Sequence, residues 1–412
     1  MNLNLLEKLN DKQREAASQI DGSILILAGA GSGKTRTITY RIAHMIENVG
    51  ISPYSILAVT FTNKAAKEMR ERVEDLVGDI AKACTISTFH SFGMRLLRMY
   101  ASEVGYNPNF TIYDTDDQKR IVKAILKGQN ISFNGVKLTE RDIVSIISKI
   151  KEEIKTPDEY SVINKQIIEV YDKYNKALLE SNAMDFSDIL LNTYKLLQKP
   201  EILEKVQNKY KYIMIDEYQD TNNLQYKIID LIARKSSNLC VVGDENQSIY
   251  GFRGANIFNI LNFETNYSNA KIIKLEENYR STTTILDAAN ELIKNNKSSK
   301  DKKLWTQNGK GDLIKVLACD NGRDEVSRII EIIKENHQNG IPYRDMTILY
   351  RTNAQSRIFE EGLLRYNIPH KVFGGISFYS RAEIKDIIAY LSIIINPQDE
   401  LNLQRIINVP KR

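Results

Sequence analysis

Short apolar runs rich in β-branched residues recur along the chain at positions 23–27, 56–61, 84–87, 212–215, 239–242 and 272–275, and each gives way to a polar signature. Runs of this length without polar alternation predict strands buried on both faces, as in a parallel sheet with helices on either side. The polar signatures follow the carboxyl ends of the runs, which is where open α/β sheets bind ligands. The pattern changes between about 105 and 183. Long helical periods at 116–127, 140–154 and 163–180 come without a convincing strand, which predicts a helical domain inserted into the first α/β domain. A second α/β block is expected from Glu277, with strands at 313–318, 346–350 and 370–373.

Composition narrows this picture only slightly. The 412 residues suffice for two to three domains, and 42% hydrophobic with 26% charged residues is ordinary globular usage. No apolar run approaches the ~20 residues of a membrane span, and the amino terminus lacks the apolar core of a signal peptide. Cys84, Cys240 and Cys319 form no ligand or redox spacing, so a cytoplasmic, reducing location is expected. A net charge of +5 neither requires nor opposes a polyanionic partner. The lysine-rich stretch 295–303 reads either as a solvated loop or as a contact to a phosphate backbone.

Chemistry enters with Ala28-Gly29-Ala30-Gly31-Ser32-Gly33-Lys34-Thr35, followed by Arg36, directly after the first apolar run. A strand feeding a Gly-rich turn that opens a helix aims backbone N–H groups and a positive helix end at one point, which suits a polyphosphate. Lys34 is expected to reach the β and γ phosphates of a nucleoside triphosphate and Thr35 to hold Mg²⁺. Ala28 stands where the usual pattern has its first glycine. The run Tyr212-Ile213-Met214-Ile215 ends in Asp216-Glu217. Asp216 is the expected Mg²⁺ ligand and Glu217 the group that polarises a water for attack on the γ phosphate, which favours an NTPase over a kinase.

After Val241-Val242-Gly243-Asp244 the chain interleaves aromatics with Gln and Arg: Gln247, Tyr250, Phe252 and Arg253. Tyr250 and Phe252 offer flat faces to unpaired bases and Arg253 a guanidinium to phosphate. Alternatively, both rings belong to the core. Gln247 stands between the strand end and the aromatics, in reach of γ phosphate and of this loop.

Taken together, these motifs resemble the UvrD/PcrA/Rep group of superfamily 1 helicases along essentially the whole chain. Further segments carry the likeness. Leu9-Asn10-Asp11-Lys12-Gln13 is similar to the adenine-reading segment, with Gln13 as reader. Thr60-Phe61-Thr62-Asn63-Lys64 and Thr88-Phe89-His90 are similar to DNA-contact motifs. Met184-Asp185-Phe186 matches with Phe186 as the wall of a base pocket. Glu277-Asn278-Tyr279-Arg280 resembles the motif whose Tyr stacks on adenine and whose Arg meets the γ phosphate, and Tyr350-Arg351-Thr352-Asn353 is similar to a DNA-facing strand end, which implies DNA contacts for Arg351 and Asn353.

The resemblance implies an α/β fold: a RecA-like P-loop NTPase domain with a helical insertion, followed by a partial second RecA-like domain. The expected limits are 1–104 and 187–276 for the first motor domain, 105–186 for the insertion and 277–412 for the second motor domain. It further implies an ATP-dependent DNA helicase moving 3′ to 5′ on single-stranded DNA. Expected partners are single-stranded and duplex-junction DNA and proteins of DNA repair or replication, with no membrane. The family's later motifs do not follow Arg412, so the polypeptide is expected to bind ATP but hydrolyse it far more slowly than a complete homologue, without unwinding duplex. Two other readings remain open here: a non-catalytic module binding ATP or single strands, and the motor part of an AddA/RecB-type helicase-nuclease. RNA as the track is disfavoured by the resemblance alone.

Overall fold

The computed structural model describes residues 5–128, 131–133, 136–153, 165–296, 300, 302–373 and 381–410. The chain divides into two compact units, 1–312 with 392–401 and 313–391 with 402–412. The expected boundary between 276 and 277 therefore falls inside the first of them.

All six apolar runs of the first block form strands: β1 (Ile24–Ala28), β2 (Ile56–Thr60), β3 (Thr85–Thr88), β4 (Tyr212–Ile215), β5 (Leu239–Gly243) and β6 (Lys271–Leu275). They make one parallel sheet in the order β6-β1-β5-β4-β2-β3. Side chains alternate between its faces. Leu25, Leu27, Leu57, Val59, Ile213, Ile215, Leu239 and Val241 build one core, and Ile24, Ile26, Ile56, Ala58, Met214, Cys240, Val242 and Ile273 the other. Helices cover both faces, which is why the strands read as continuous apolar runs. Four of these helices matter for the site: α1 (Asp11–Ser18), α2 (Lys34–Glu47), α3 (Asn63–Val77) and α4 (Phe89–Tyr100).

The insertion is helical as expected, with α5 (Thr115–Leu126), α6 (Glu140–Glu153) and α7 (Lys165–Glu180) around Tyr113, Val122, Ile143, Ile147, Tyr174 and Leu178. The expected extensions at 154 and 163 lie outside the described residues. Two minimal ladders qualify the expectation of no strand. Thr111–Ile112 pairs with Ala183–Met184, bringing the two ends of the insertion side by side, and Ser132–Phe133 pairs with Val136–Lys137. The chain then enters α8 (Phe186–Leu197), which packs on α4.

The second unit corrects the expectation of strands at 313–318, 346–350 and 370–373. Among the described residues none of these segments is a strand. A parallel strand needs a hydrogen-bonding neighbour and cover on both faces, whereas Leu313, Val316 and Leu349 are 74%, 92% and 90% exposed. The unit's core instead joins the helices Gly322–Gln338 and Ser356–Arg365 through Val326, Ile330, Phe359 and Leu363.

Candidate functional site

The Gly-rich turn leaves β1 after Ala28 and delivers Lys34 as the first residue of α2. Gly31 and Gly33 have φ of 70° and 86°, the left-handed region that side chains disfavour. Space excludes a side chain as well: a Cβ on Gly31 would lie 2.6 Å from Asn278 Nδ2, and one on Gly33 2.6 Å from Gln13 Nε2. The same neighbours hold the loop. Gln13 Nε2 donates to Ser32 O at 2.9 Å, Asn278 Nδ2 to Ala30 O at 2.6 Å and Tyr279 N to Gly31 O at 3.0 Å. Three successive carbonyls are thus engaged by protein, and the positive end of α2 opens beside them.

Gln13 is buried in a capping box with Asn10 at the start of α1. Asn10 Nδ2 donates to Tyr279 Oη at 2.6 Å and Glu277 Oε2 at 3.0 Å, and Tyr279 Oη donates to Glu277 at 2.7 Å. The Tyr279 ring is half exposed, and Arg280 beside it is exposed. Arg36 is also exposed and donates to Lys8 O at 2.7 Å.

The paired carboxylates follow β4. Glu217 adopts φ 52°, ψ 45°, an uncommon left-handed conformation for a residue with a side chain, and such strain clusters at functional sites. Its Oε2 lies 3.1 Å from Lys34 Nζ. Asp216 is buried, and burial together with the Glu217 charge pushes its pKa up to about 7 against the pull of Lys34. Asp220 is raised to about 6 by burial and then by Glu217. Thr35 follows Lys34 in the first turn of α2.

Among the described residues there is no cluster of three or more His, Cys, Asp or Glu suited to a metal ion. The hydroxyl of Thr35 and the buried carboxyl of Asp216 nevertheless fit Mg²⁺. That cation keeps several waters and takes substrate phosphate oxygens alongside one or two carboxylates, and a carboxyl whose charge burial penalises gains from a cation.

The end of β5 lies between β1 and β4 and carries the aromatic segment. Gln247 Nε2 donates to Asp244 Oδ2 at 2.5 Å, and Lys302 Nζ lies 2.7 Å from Asp244 Oδ1 and 3.3 Å from Glu245. The Lys302 side chain is 3% exposed, so at this position neither expectation for the lysine-rich stretch holds: its charge neutralises the loop from within. Residues 297–299 and 301 of that stretch lie outside the described residues.

Beyond Gln247 the rings gather. Phe61 and Tyr250 stack with centroids 5.5 Å apart, Phe252 lies 6.1 Å from Tyr250, and the Arg253 guanidinium sits over both at 5.1 and 5.4 Å. Phe252 is 78% exposed, which removes the core alternative for it, and Tyr250 is half-buried. A cavity of about 240 Å³ opens here, lined by Phe61, His90, Glu152, Asp220, Tyr250 and Arg253. His90 meets the half-exposed Phe186 edge-on at 5.8 Å, and burial lowers its pKa. Thr62 caps α3, with Asn63 and Lys64 exposed in its first turn. Arg351 and Asn353 are exposed residues of the second unit.

Three partners escaped the sequence reading. Gln219 joins Glu217 to Asp244, Asn278 braces the Gly-rich loop, and the fully buried Lys151 lies 2.8 Å from Asp185 and 2.7 Å from Asp188, at the start of the helix that carries Phe186. Only Lys151 had a local signal, as a lysine on the apolar face of α6.

Comparisons with known proteins identify the family. Residues 9–268 match the UvrD/REP helicase N-terminal domain and residues 273–412 the UvrD-like helicase C-terminal domain. The chain is 50% identical to the ATP-dependent DNA helicase PcrA of Staphylococcus aureus and 49% identical to that of Staphylococcus epidermidis, in each case over 99% of this chain and 56% of the relative. It spans about half the length of these curated relatives. The Pif1 helicase of Candida albicans aligns over 92% of this chain and 54% of its own at 11% identity with a TM-score of 0.28, too low to support a structural argument.

Proposed function

Because this chain belongs to the UvrD/REP helicase family, we propose that it binds ATP with Mg²⁺ and single-stranded DNA and carries motor residues of an ATP-dependent DNA helicase. The observation that carries this reading is the approach of Lys34 to Glu217, whose backbone is left-handed and which follows the buried Asp216, with stacked rings on the next strand end. Lys34 would engage the β and γ phosphates, and Thr35 with Asp216 would hold the metal. Mg²⁺ supplies charge neutralisation to the leaving and transferring phosphates. Glu217 would orient and deprotonate the attacking water, and Gln247 would sense the γ phosphate. Gln13 and Tyr279 would select adenine by hydrogen bonding and stacking. Arg280, exposed next to the Gly-rich loop, would meet the γ phosphate, a role worth about 10³ to 10⁵ in rate where an arginine performs it.

On the other side, Phe61, Phe186, Tyr250 and Phe252 offer stacking faces while Thr62, Asn63, Lys64, His90 and Arg253 offer polar contacts. Arg351 and Asn353 would contact DNA. Stacking reads no sequence, which suits translocation along any strand. We assign 1–104 with 187–276 to a first motor domain, 105–186 to its insertion and 277–412 to part of a second. Movement 3′ to 5′, action at duplex junctions in repair or replication and a cytoplasmic location complete the proposal. The test is ATP hydrolysis with and without single-stranded DNA, joined to strand displacement on duplexes with a 3′ or a 5′ tail. Slow hydrolysis stimulated by DNA is expected of this chain, with any displacement confined to the 3′ tail. Hydrolysis indifferent to DNA would overturn the motor reading, and preference for the 5′ tail the direction.

A further inference from the structure

Gln219 occupies the seam between the two halves of the site. It is 1% exposed, and its side-chain amide has a partner in each direction. Nε2 donates to Glu217 Oε2 at 2.9 Å and to Asp220 Oδ2 at 3.4 Å, while Oε1 accepts from Asp244 N at 3.0 Å. Its backbone carbonyl accepts from Ser248 Oγ at 3.2 Å, two residues before Tyr250. The fold makes room for this amide: a Cβ on Gly243 would fall 2.6 Å from Gln219 Oε1. Glu217 is the partner of Lys34, and Asp220 lines the aromatic cavity with one carboxylate oxygen buried and unpaired.

An amide suits this place and other groups do not. It donates to a carboxylate and accepts from a backbone N–H in one rigid plane, whereas a carboxylate has no proton to donate and a hydroxyl cannot span both partners. Whatever draws the Lys34 ammonium away from Glu217 leaves Gln219 Nε2 donating to a carboxylate that has lost its counter-charge. The change then reaches Asp220 and the start of the aromatic loop through two bonds.

Resting on the ATP and DNA reading above, we propose that Gln219 is a positioning residue that couples the nucleotide site to the single-strand site. Each ligand changes the affinity of the other through it. Coupling of this kind is reciprocal, and it typically amounts to about 5- to 150-fold in affinity.

The experiment uses the chain as it stands. Affinity for an oligothymidylate is measured by fluorescence anisotropy with and without a non-hydrolysable ATP analogue and Mg²⁺, for wild type, Gln219→Glu and Gln219→Met. Affinity for the analogue alone is measured alongside. The wild type is expected to show a coupling factor within that range, and both variants to fall near unity while each ligand alone still binds. A merely structural role would not separate coupling from binding, so loss of both single-ligand affinities in both variants would overturn the proposal. So would retention of wild-type coupling in either variant, or a wild type with two ligands bound but no coupling. Absence of binding of either ligand to the wild type would instead overturn the ATP and DNA reading itself.

Discussion

Lys34 and Glu217 are 183 positions apart in sequence and 3.1 Å apart in space. The Lys34 side chain is 11% exposed and that of Glu217 37%. The sheet explains the meeting, because β1 and β4 run parallel with only β5 between them and end on the same edge. The intervening helical insertion leaves and re-enters the domain at adjacent points, so its length does not disturb the register.

Gly31→Ala tests the loop. The new Cβ would need the left-handed region and would press on Asn278 and Arg280. A loss of about 1–3 kcal/mol in unfolding free energy is expected, together with weaker nucleotide binding; urea melts and a nucleotide titration measure both.

Lys151→Met tests the anchor under Phe186. Removing the ammonium leaves Asp185 and Asp188 buried with no counter-charge, and breaking such a pair typically costs about 3–5 kcal/mol. The triple variant Lys151→Met, Asp185→Asn, Asp188→Asn should recover much of that loss, because the uncompensated charges are gone. Chemical denaturation of the two variants decides it.

His90 gives a pH signature. Burial holds its pKa below the usual 6.5, so the unfolded chain takes up a proton at a higher pH than the folded one does. Its contribution to stability is therefore fully present above about pH 6.5 and is lost as pH falls through the lowered folded value. His90→Asn should flatten the slope of unfolding free energy against pH in that acidic window and leave it unchanged near pH 8.

Much of this was legible in the sequence, for identifiable reasons. The six strands could be read because both faces of the sheet are covered, which forces unbroken apolar runs such as Ile24-Leu25-Ile26-Leu27. The phosphate loop could be read because its glycines are required locally. Gln219 and Asn278 were visible as letters but not as braces, since Asp244 and Ala30, the partners that make them so, lie 25 and 248 positions away. Lys302 carried the opposite message from its neighbours: within a lysine-rich stretch nothing local says that one ammonium will be buried against Asp244. The apolar runs at 313–318 and 346–350 misled because a strand needs a partner, and periodicity does not report one.

Phe252→Ala tests the aromatic face with little risk to the fold, given how exposed the ring is. Loss of one stacking platform should weaken oligothymidylate binding by about 1–3 kcal/mol. Anisotropy titration reads the change, and an unchanged melting temperature separates it from unfolding.

The most direct test of the account is a titration of this chain with ATP analogue and Mg²⁺, comparing wild type with Lys34→Ala. Hydrogen bonds to charged groups are worth about 1.5–3 kcal/mol, so nucleotide affinity should fall roughly 10- to 100-fold. Equal nucleotide affinity in the two proteins would contradict the assignment of Lys34, Thr35, Asp216 and Glu217 to one magnesium-triphosphate site.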